Sequence, residues 1–401
     1  MAGWLIPQAI GLVHDRTLPA DGYAWAMLMA ILCAVAILAG HHSRPPPVRA
    51  FTWRVDQRRL LQGALVLSLF GSIFNALIRE LPDELLRPAS GGWSGLPVLY
   101  HFFAVPQTFG FAIAALTYAR TRSPLALAIA VYDFAWFAGI IFLSGRRTFT
   151  IEIILIVVLS AWFGRRWVAP RSIAAVGIVA ATLMVTSVGN FRALTGAAYG
   201  GVDGRLPTWE EFTSIDFVGN LLTISEGGYR EELYTAIYDV AGAQTSTTFN
   251  LGASYWNALV FMYVPAQLLG AGFKDALTIA LPDQAARVYG FRATAGNTHT
   301  GFADAFLAFW FFGAAVFFVI ARFMRSLYVA AMNGHTYAQL AYMLMIAYGL
   351  EAITHQTAYF FAQWLHFAMF TLPVLYWARI QPRRSGAPVM VGQTAAAAGR
   401  A

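Results

Sequence analysis

Apolar runs of about 15 to 22 residues, each long enough to cross a hydrocarbon core of roughly 30 Å as a helix, recur along almost the whole chain. Nine read as crossings: 22–39, 60–78, 98–119, 124–143, 149–163, 172–188, 302–321, 336–352 and 358–378. They are continuously apolar and do not alternate, which predicts helices and not a barrel, because a helix satisfies its own backbone groups inside lipid. Polar positions collect between the runs, in connections that are short with one exception. Gly189 to Gly301 is far longer than an ordinary connection, yet aromatic and aliphatic residues are spread through it. Within it, Leu251 to Leu269 is apolar enough to lie in the membrane interface or to dip in as a re-entrant segment. The first 21 residues hold only a short apolar stretch interrupted by Pro7, with no basic start and no small-residue cleavage site; an interfacial helix is expected there, not a signal peptide. The proline-rich stretch Arg44 to Val48 reads as a linker.

This pattern predicts an all-α polytopic membrane protein with about nine to eleven transmembrane helices. It divides into an N-terminal transmembrane bundle (1–188), a large loop (189–301), C-terminal transmembrane helices (302–380) and a tail (381–401). Composition agrees: 58% of the 401 residues are hydrophobic and 12% charged, against roughly a quarter charged in soluble domains. A soluble enzyme is therefore excluded. The net charge of +7 forms no polar basic block, so nucleic acid is not an expected partner. Cys33, the single cysteine, allows neither a disulfide framework nor a cysteine-rich metal site.

The arginines orient the chain. Arg44, Arg49, Arg54, Arg58, Arg59, Arg120, Arg122, Arg165, Arg166, Arg171, Arg322, Arg325, Arg379, Arg383, Arg384 and Arg400 fall on one side, with Asp56 as the accompanying acid. By the positive-inside rule that side is cytoplasmic. The long loop then faces outward.

Several cations nevertheless sit on the outer side beside helix ends. Arg146 and Arg147 occupy the turn SGRRT, Arg192 lies in GNFR, Arg230 in GGYREE, Lys274 in FKD and Arg292 in YGFR. Clustered guanidinium groups at the lipid boundary suit a pyrophosphate, because arginine presents a rigid fork to paired oxygens. The plainer reading is that each snorkels to headgroups or pairs with a nearby acid, as Arg146 or Arg147 could with Glu152. Glu231, Glu232, His299 and Asp304, on the same side, are candidate proton acceptors. Glu351 and His355 share a helix face four residues apart, where a hydrogen-bonded structural pair competes with catalysis. Asp133 in mid-run reads first as a helix-packing contact, and His101 and His366 as packing or interfacial residues. Nucleotide-phosphate loops, HExxH and GxSxG are absent from the sequence, and Cys33 has no basic group nearby in the sequence to activate it.

The assembled pattern resembles the Wzy-type polymerases of O-antigen and exopolysaccharide, the oligosaccharide repeat unit polymerases. The resemblance rests on SGRRT at Ser144, GNFR at Gly189, NLGASYWNALVFMYVPAQLLGAGFKD from Asn250 to Asp275 and GNTHTGFADAFLAFWFFG from Gly296 to Gly313, and covers about residues 140 to 320. The chain departs from the family where Pro265 is followed by Ala266 in place of an arginine. The resemblance implies a GT-C-like fold in the bacterial inner membrane with a site facing the periplasm. It implies transfer of a glycan from undecaprenyl pyrophosphate onto another lipid-linked repeat unit, driven by departure of the pyrophosphate lipid, with no nucleotide sugar and no cofactor. Donor and acceptor glycolipids are the implied partners, with membrane lipid, a chain-length regulator and a flippase around them. A metal is not required where arginines neutralise the leaving group. An O-antigen ligase would use the same donor; a transporter of lipid-linked glycan and a non-catalytic subunit of a secretion complex are the rivals from other classes.

Overall fold

The computed structural model of the chain describes residues 2–44, 53–86, 93, 95–196, 204–225, 231–293 and 299–380. Among these the chain is helical, with one isolated bridge between Val55 and Arg379. The first half comprises α1 (Ala2–Leu12), α2 (Gly22–His42), α3 (Gln57–Arg79), α4 (Asp83–Leu86), α5 (Leu96–Ala104), α6 (Pro106–Thr121), α7 (Pro124–Phe142), α8 (Arg147–Arg165), α9 (Arg171–Thr186) and α10 (Val188–Thr195). The long segment holds α11 (Trp209–Thr213), α12 (Phe217–Ser225), α13 (Glu231–Ser246), α14 (Ala253–Tyr263), α15 (Ala266–Leu269), α16 (Ala271–Leu277) and α17 (Gln284–Tyr289). The chain closes with α18 (Gly301–Phe309), a 3-10 turn (Trp310–Gly313), α19 (Ala314–Met332), α20 (Thr336–Thr354) and α21 (Thr357–Ala378).

Seven helical stretches among the described residues are long and apolar enough to cross a membrane, or eight if α9 and α10, joined at a sharp bend, count as one. The chain is thus a multi-pass helical membrane protein. The remaining run of the nine, 336–352, forms α20, which is less apolar than the others. Its place explains this: α20 packs against α6, α8, α19 and α21, so Thr336, Gln339 and Tyr337 are buried against protein. A helix shielded by neighbours does not need a lipid-compatible surface.

Among the described residues two large apolar cores result, with a smaller cluster of Ile78, Leu86 and Ala104. One joins α3, α6, α8, α20 and α21 through side chains such as Leu67, Ile113, Ile156, Leu344 and Phe367. The other joins α2, α13 and α18 through Met29, Cys33, Ile237, Val240 and Phe306. Small residues let the helices approach closely, as expected between membrane helices: Gly110 of α6 lies on Ser68 and the Ala64 carbonyl of α3, and Gly40 of α2 lies on the backbone of α19.

The long segment is packed onto this bundle. α13 presents Leu233, Ala236, Ile237, Val240 and Ala243, all buried, at helical spacing. α14 runs along the first half of α21, where Tyr255 Oη meets Thr357 Oγ1 at 2.6 Å and Tyr263 Oη donates to the Ala362 carbonyl at 2.6 Å. The chain then turns at Pro265 and comes back through α16. Asn257 exchanges two hydrogen bonds with the Ile279 backbone, at 2.7 and 2.9 Å, and Trp256 Nε1 donates to the Leu277 carbonyl. The apolar run from Leu251 to Leu269 is therefore the descending arm and tip of a hairpin.

Candidate functional site

Of the cations and acids expected on the outer side, Arg146, Arg147 and Arg192 form one group and His299, Asp304 and Arg292 another, at the end of the bundle opposite the arginine-rich connections. The first is built on the turn between α7 and α8. Gly145 has a φ of 54°, a conformation glycine adopts without strain. Arg192 of α10 clamps this turn: its Nε donates to the Ser144 carbonyl at 3.1 Å and its Nη2 to the Gly145 carbonyl at 3.0 Å. Arg146 and Arg147 follow, both exposed and both within electrostatic reach of Arg192. Arg146 lies over the Trp93 ring, 5.8 Å from its centroid. Three guanidinium groups so gathered repel one another, and an anion between them would relieve the repulsion.

Beneath the cations polar side chains stand among apolar ones such as Phe137, Ile140 and Phe149. Glu152 is buried and lines a small cavity of about 70 Å³ with Asn75, His101, Thr108 and Tyr348. Glu351 accepts from Thr148 Oγ1 at 3.5 Å, which ties the end of α20 to the start of α8. His355, just past α20, is held below the ordinary imidazole range by burial and by the nearby Arg147.

The second group lies across the end of α20. Gly301 packs against the carbonyls of Ala352 and His355 so tightly that a side chain there would collide with them. This seats α18 on the junction of α20 and α21. Three residues on, Asp304 Oδ2 accepts from Thr357 N at 2.9 Å and from Thr357 Oγ1 at 2.7 Å. A carboxylate of one helix thereby caps another, satisfying one of the amides that every helix N-terminus leaves open.

His299 stands two residues before α18, and its Nδ1 meets Asp239 Oδ2 of α13 at 2.6 Å. Asp239 is buried and the His299 side chain is 42% exposed. The hydrogen bond to Asp239 raises the imidazole to about 9, against the opposing effect of burial, and the charges of Asp239, Asp304 and Asp283 add to the rise. The pair borders two clefts. One, of about 240 Å³, is also lined by Asn250, Ser254, Gln284, Asp304 and Gln356. The other, of about 530 Å³, is also lined by Asp283, Arg287, Phe291 and Arg292, and falls in the size range of small-molecule pockets, about 300–1,000 Å³. Ser254 Oγ and Gln284 Nε2, both in the lining of the smaller cleft, are buried with no hydrogen-bond partner among the described residues. Such groups are costly unless a ligand or water meets them.

The structure thus brings Arg146, Arg147 and Arg192 together, and separately His299 and Asp304. Arg292 joins the His299 group and not the other arginines. Lys274 stands apart: its Nζ donates to the Phe261 carbonyl at 3.1 Å and lies over the Phe261 ring, and burial lowers it from the ordinary lysine range despite Asp275. Glu232 is seven residues before Asp239 on α13, about 10 Å along the helix, and lines neither cleft. Arg230 and the Glu231 side chain lie outside the described residues.

Asp239, Ser254, Gln284 and Arg287 were not singled out from the sequence. For Asp239 a signal exists: it is a carboxylate on the face that Leu233, Ala236, Ile237, Val240 and Ala243 bury. Asp133, in contrast, is a packing residue. Its two oxygens accept from Ser68 Oγ at 2.7 Å and Gln107 Nε2 at 3.1 Å, and Asn75 Nδ2 donates to Gln107 Oε1 at 2.7 Å, joining α3, α6 and α7. His366 stacks on Phe102 at 4.5 Å and hydrogen-bonds its carbonyl. No protein-family model, curated protein or solved structure matches the chain.

Proposed function

We propose that the chain is a membrane glycosyltransferase that polymerises oligosaccharide repeat units carried on undecaprenyl pyrophosphate, acting at the periplasmic face of the bacterial inner membrane with a GT-C-like bundle. The observation that carries this reading is the placement of a three-arginine cluster and a histidine–carboxylate pair on the two sides of the end of α20. One side suits an anionic leaving group and the other a hydroxyl to be deprotonated.

In this reading Arg146, Arg147 and Arg192 hold the donor pyrophosphate and neutralise the charge that grows on it as the glycosidic C–O bond breaks. Asp239 orients His299 through Nδ1, which leaves Nε2 to take the proton from the acceptor hydroxyl. That oxygen bonds to the anomeric carbon from the face opposite the leaving group, so a single displacement inverts the configuration. The proton ends on His299 and the lipid pyrophosphate departs with the electron pair. Asp304 shares the smaller cleft but, with Oδ2 occupied by Thr357, serves to hold α18 against α21.

The test is incubation of the purified chain with its native lipid-linked repeat unit, without nucleotide sugar, and resolution of the products by size. A ladder that disappears in the Arg146→Ala, Arg147→Ala double variant supports both the activity and the arginine site. Near-normal polymer from that variant would remove the arginine site. Unchanged substrate from a folded chain that binds it would transfer weight to a ligase, which addition of a lipid A core acceptor would reveal, or to a transporter.

A further inference from the structure

The larger cleft beside the His299–Asp239 pair contains cations that the transfer step does not use. Arg287 lies near the end of α17 and Arg292 five residues further on, either side of Gly290, whose φ of 67° ends the helix and turns the chain. The turn delivers both guanidinium groups to one cleft of about 530 Å³. Both are exposed, and neither side chain makes a hydrogen bond or ion pair to a described residue. Asp283 in the same lining forms no ion pair with either arginine; its Oδ1 accepts from Ala286 N at 2.9 Å to cap α17. Asp239 is already committed to His299.

Phe291, the aromatic side chain in the lining of this cleft, is held in place from behind. Phe291 stacks flat on Tyr238, with ring centroids 4.2 Å apart and planes at 12°, and Tyr234 and Tyr289 pack around them. Tyr289 Oη is anchored to Thr245 Oγ1 at 3.0 Å, and Tyr238 Oη donates to the Thr17 carbonyl at 2.8 Å. A site with two unengaged arginine forks beside a rigid apolar edge suits a ligand that is anionic at one point and has an apolar ring face. Arginine recognises a carboxylate through paired hydrogen bonds that a hydroxyl cannot reproduce.

We propose that this cleft is a subsite for a carboxylate-bearing sugar, a uronic acid, in the acceptor glycan. Arg287 and Arg292 read the carboxylate, and Phe291 supports the ring. The proposal rests on the glycosyltransferase reading, since it places the acidic sugar next to the hydroxyl that His299 deprotonates.

Binding to the full chain in lipid nanodiscs at low ionic strength tests it, with tetragalacturonate, its methyl ester and inorganic pyrophosphate as probes. The ester keeps the ring faces and removes the charge. The acid form is expected to bind at least about tenfold more tightly than the ester, a difference that salt weakens because the arginines are exposed. Arg287→Ala and Arg292→Ala each remove most of that preference, Arg287→Lys keeps part of it, and the Arg146→Ala, Arg147→Ala variant leaves it unchanged. Equal binding of acid and ester, or binding of neither, overturns the proposal. So does pyrophosphate binding that Arg287→Ala and Arg292→Ala abolish, which would make the cleft a phosphate site. Binding is read without turnover, so an acid preference in a chain that forms no polymer would sink the polymerase reading alone. A chain that polymerises without that preference would sink this inference alone.

Discussion

Asp133 and Asp239 are both buried carboxylates on helices, yet the structure gives them opposite surroundings. Both oxygens of Asp133 are met by Ser68 and Gln107, and Gln107 is held in turn by Asn75. The carboxylate itself faces only groups of the protein, which is what a polar contact between packed helices requires, and the network meets a cavity only at its edge, where Asn75 lines the small space beside Glu152. Asp239 is met at Oδ2 by a half-exposed imidazole, beside clefts where Ser254 Oγ and Gln284 Nε2 have no described partner. A satisfied network rigidifies a bundle, whereas one that opens on a cleft leaves polar atoms that a ligand or water can meet. Burial of a carboxylate therefore does not distinguish packing from chemistry; the state of its neighbours does.

The sharpest way to break this comparison is to remove one group from each network. His299→Ala is expected to lower polymer formation by at least about a hundredfold, the usual weight of a general base, with the chain still folded and inserted. Asp133→Asn, which keeps the shape and one acceptor for Gln107 while its amide can donate to the Ser68 hydroxyl, should leave turnover per folded chain close to that of the unchanged protein. Equal losses in the ladder assay would mean that the two networks do the same structural work.

A smaller effect with a characteristic pH signature comes from the pair itself. With His299 raised to about 9 by Asp239, the resting form at neutral pH is an imidazolium beside a carboxylate, and the base form appears only as pH climbs. Turnover limited by proton removal should rise with pH and level off near 9. Asp239→Asn removes the raising partner, so the plateau moves down toward the ordinary imidazole value of about 6.5. At pH 9 the variant should be slower by about tenfold, since a weaker base transfers the proton less readily; the gap should close near about pH 8 and reverse by about pH 7, where only about a hundredth of the unchanged protein is in the base form. The stability sign is opposite. A raised imidazole stabilises the folded chain below the unfolded value, and that contribution is lost as pH rises through about 9. An identical pH profile in the two proteins would remove His299 from the proton path.

The spans were legible in the sequence because lipid imposes one rule on every residue of a crossing: the run 22–39 became Gly22–His42 and 124–143 became Pro124–Phe142. The cations Arg146, Arg147 and Arg192 were legible as a group for a related reason, since each follows or precedes a run that ends at the same side. What the sequence could not supply was the pairing of Asp239 with His299, 60 positions apart. That contact depends on how α13 packs on α2 and α18, inside a segment whose hydropathy says only that it is ordered. Central helices also escape the hydropathy rule, as α20 shows, because their neighbours replace lipid.

Next in size is the cost of opening the Asp133 network. Asp133→Ala leaves Ser68 Oγ and Gln107 Nε2 buried without their acceptor, and each abandoned group costs about 1–3 kcal/mol. A clear drop in the temperature of unfolding in detergent is expected, with turnover per folded chain retained. A variant as stable as the parent would mean that water fills the gap, and that the network is less closed than its hydrogen bonds imply.

The smallest effect belongs to Asp304, which lies between the two categories. It lines the smaller cleft, yet Oδ2 accepts from the amide and the hydroxyl of Thr357 and so caps α21 from outside that helix. Thr357→Val deletes the hydroxyl donor, keeps the branched shape and leaves the amide bond in place. A neutral hydrogen bond of this kind contributes about 0.5–1.5 kcal/mol, and one to a charged group somewhat more. The variant should therefore unfold slightly earlier and polymerise almost normally. Tyr255 Oη, which shares Thr357 Oγ1 at 2.6 Å, loses a partner in the same variant, so Tyr255→Phe should reproduce part of the loss and add little to it in the double variant. A large fall in turnover from Thr357→Val at unchanged stability would instead place Asp304 with His299 in the chemistry, because only a catalytic carboxylate would respond to losing a donor that way.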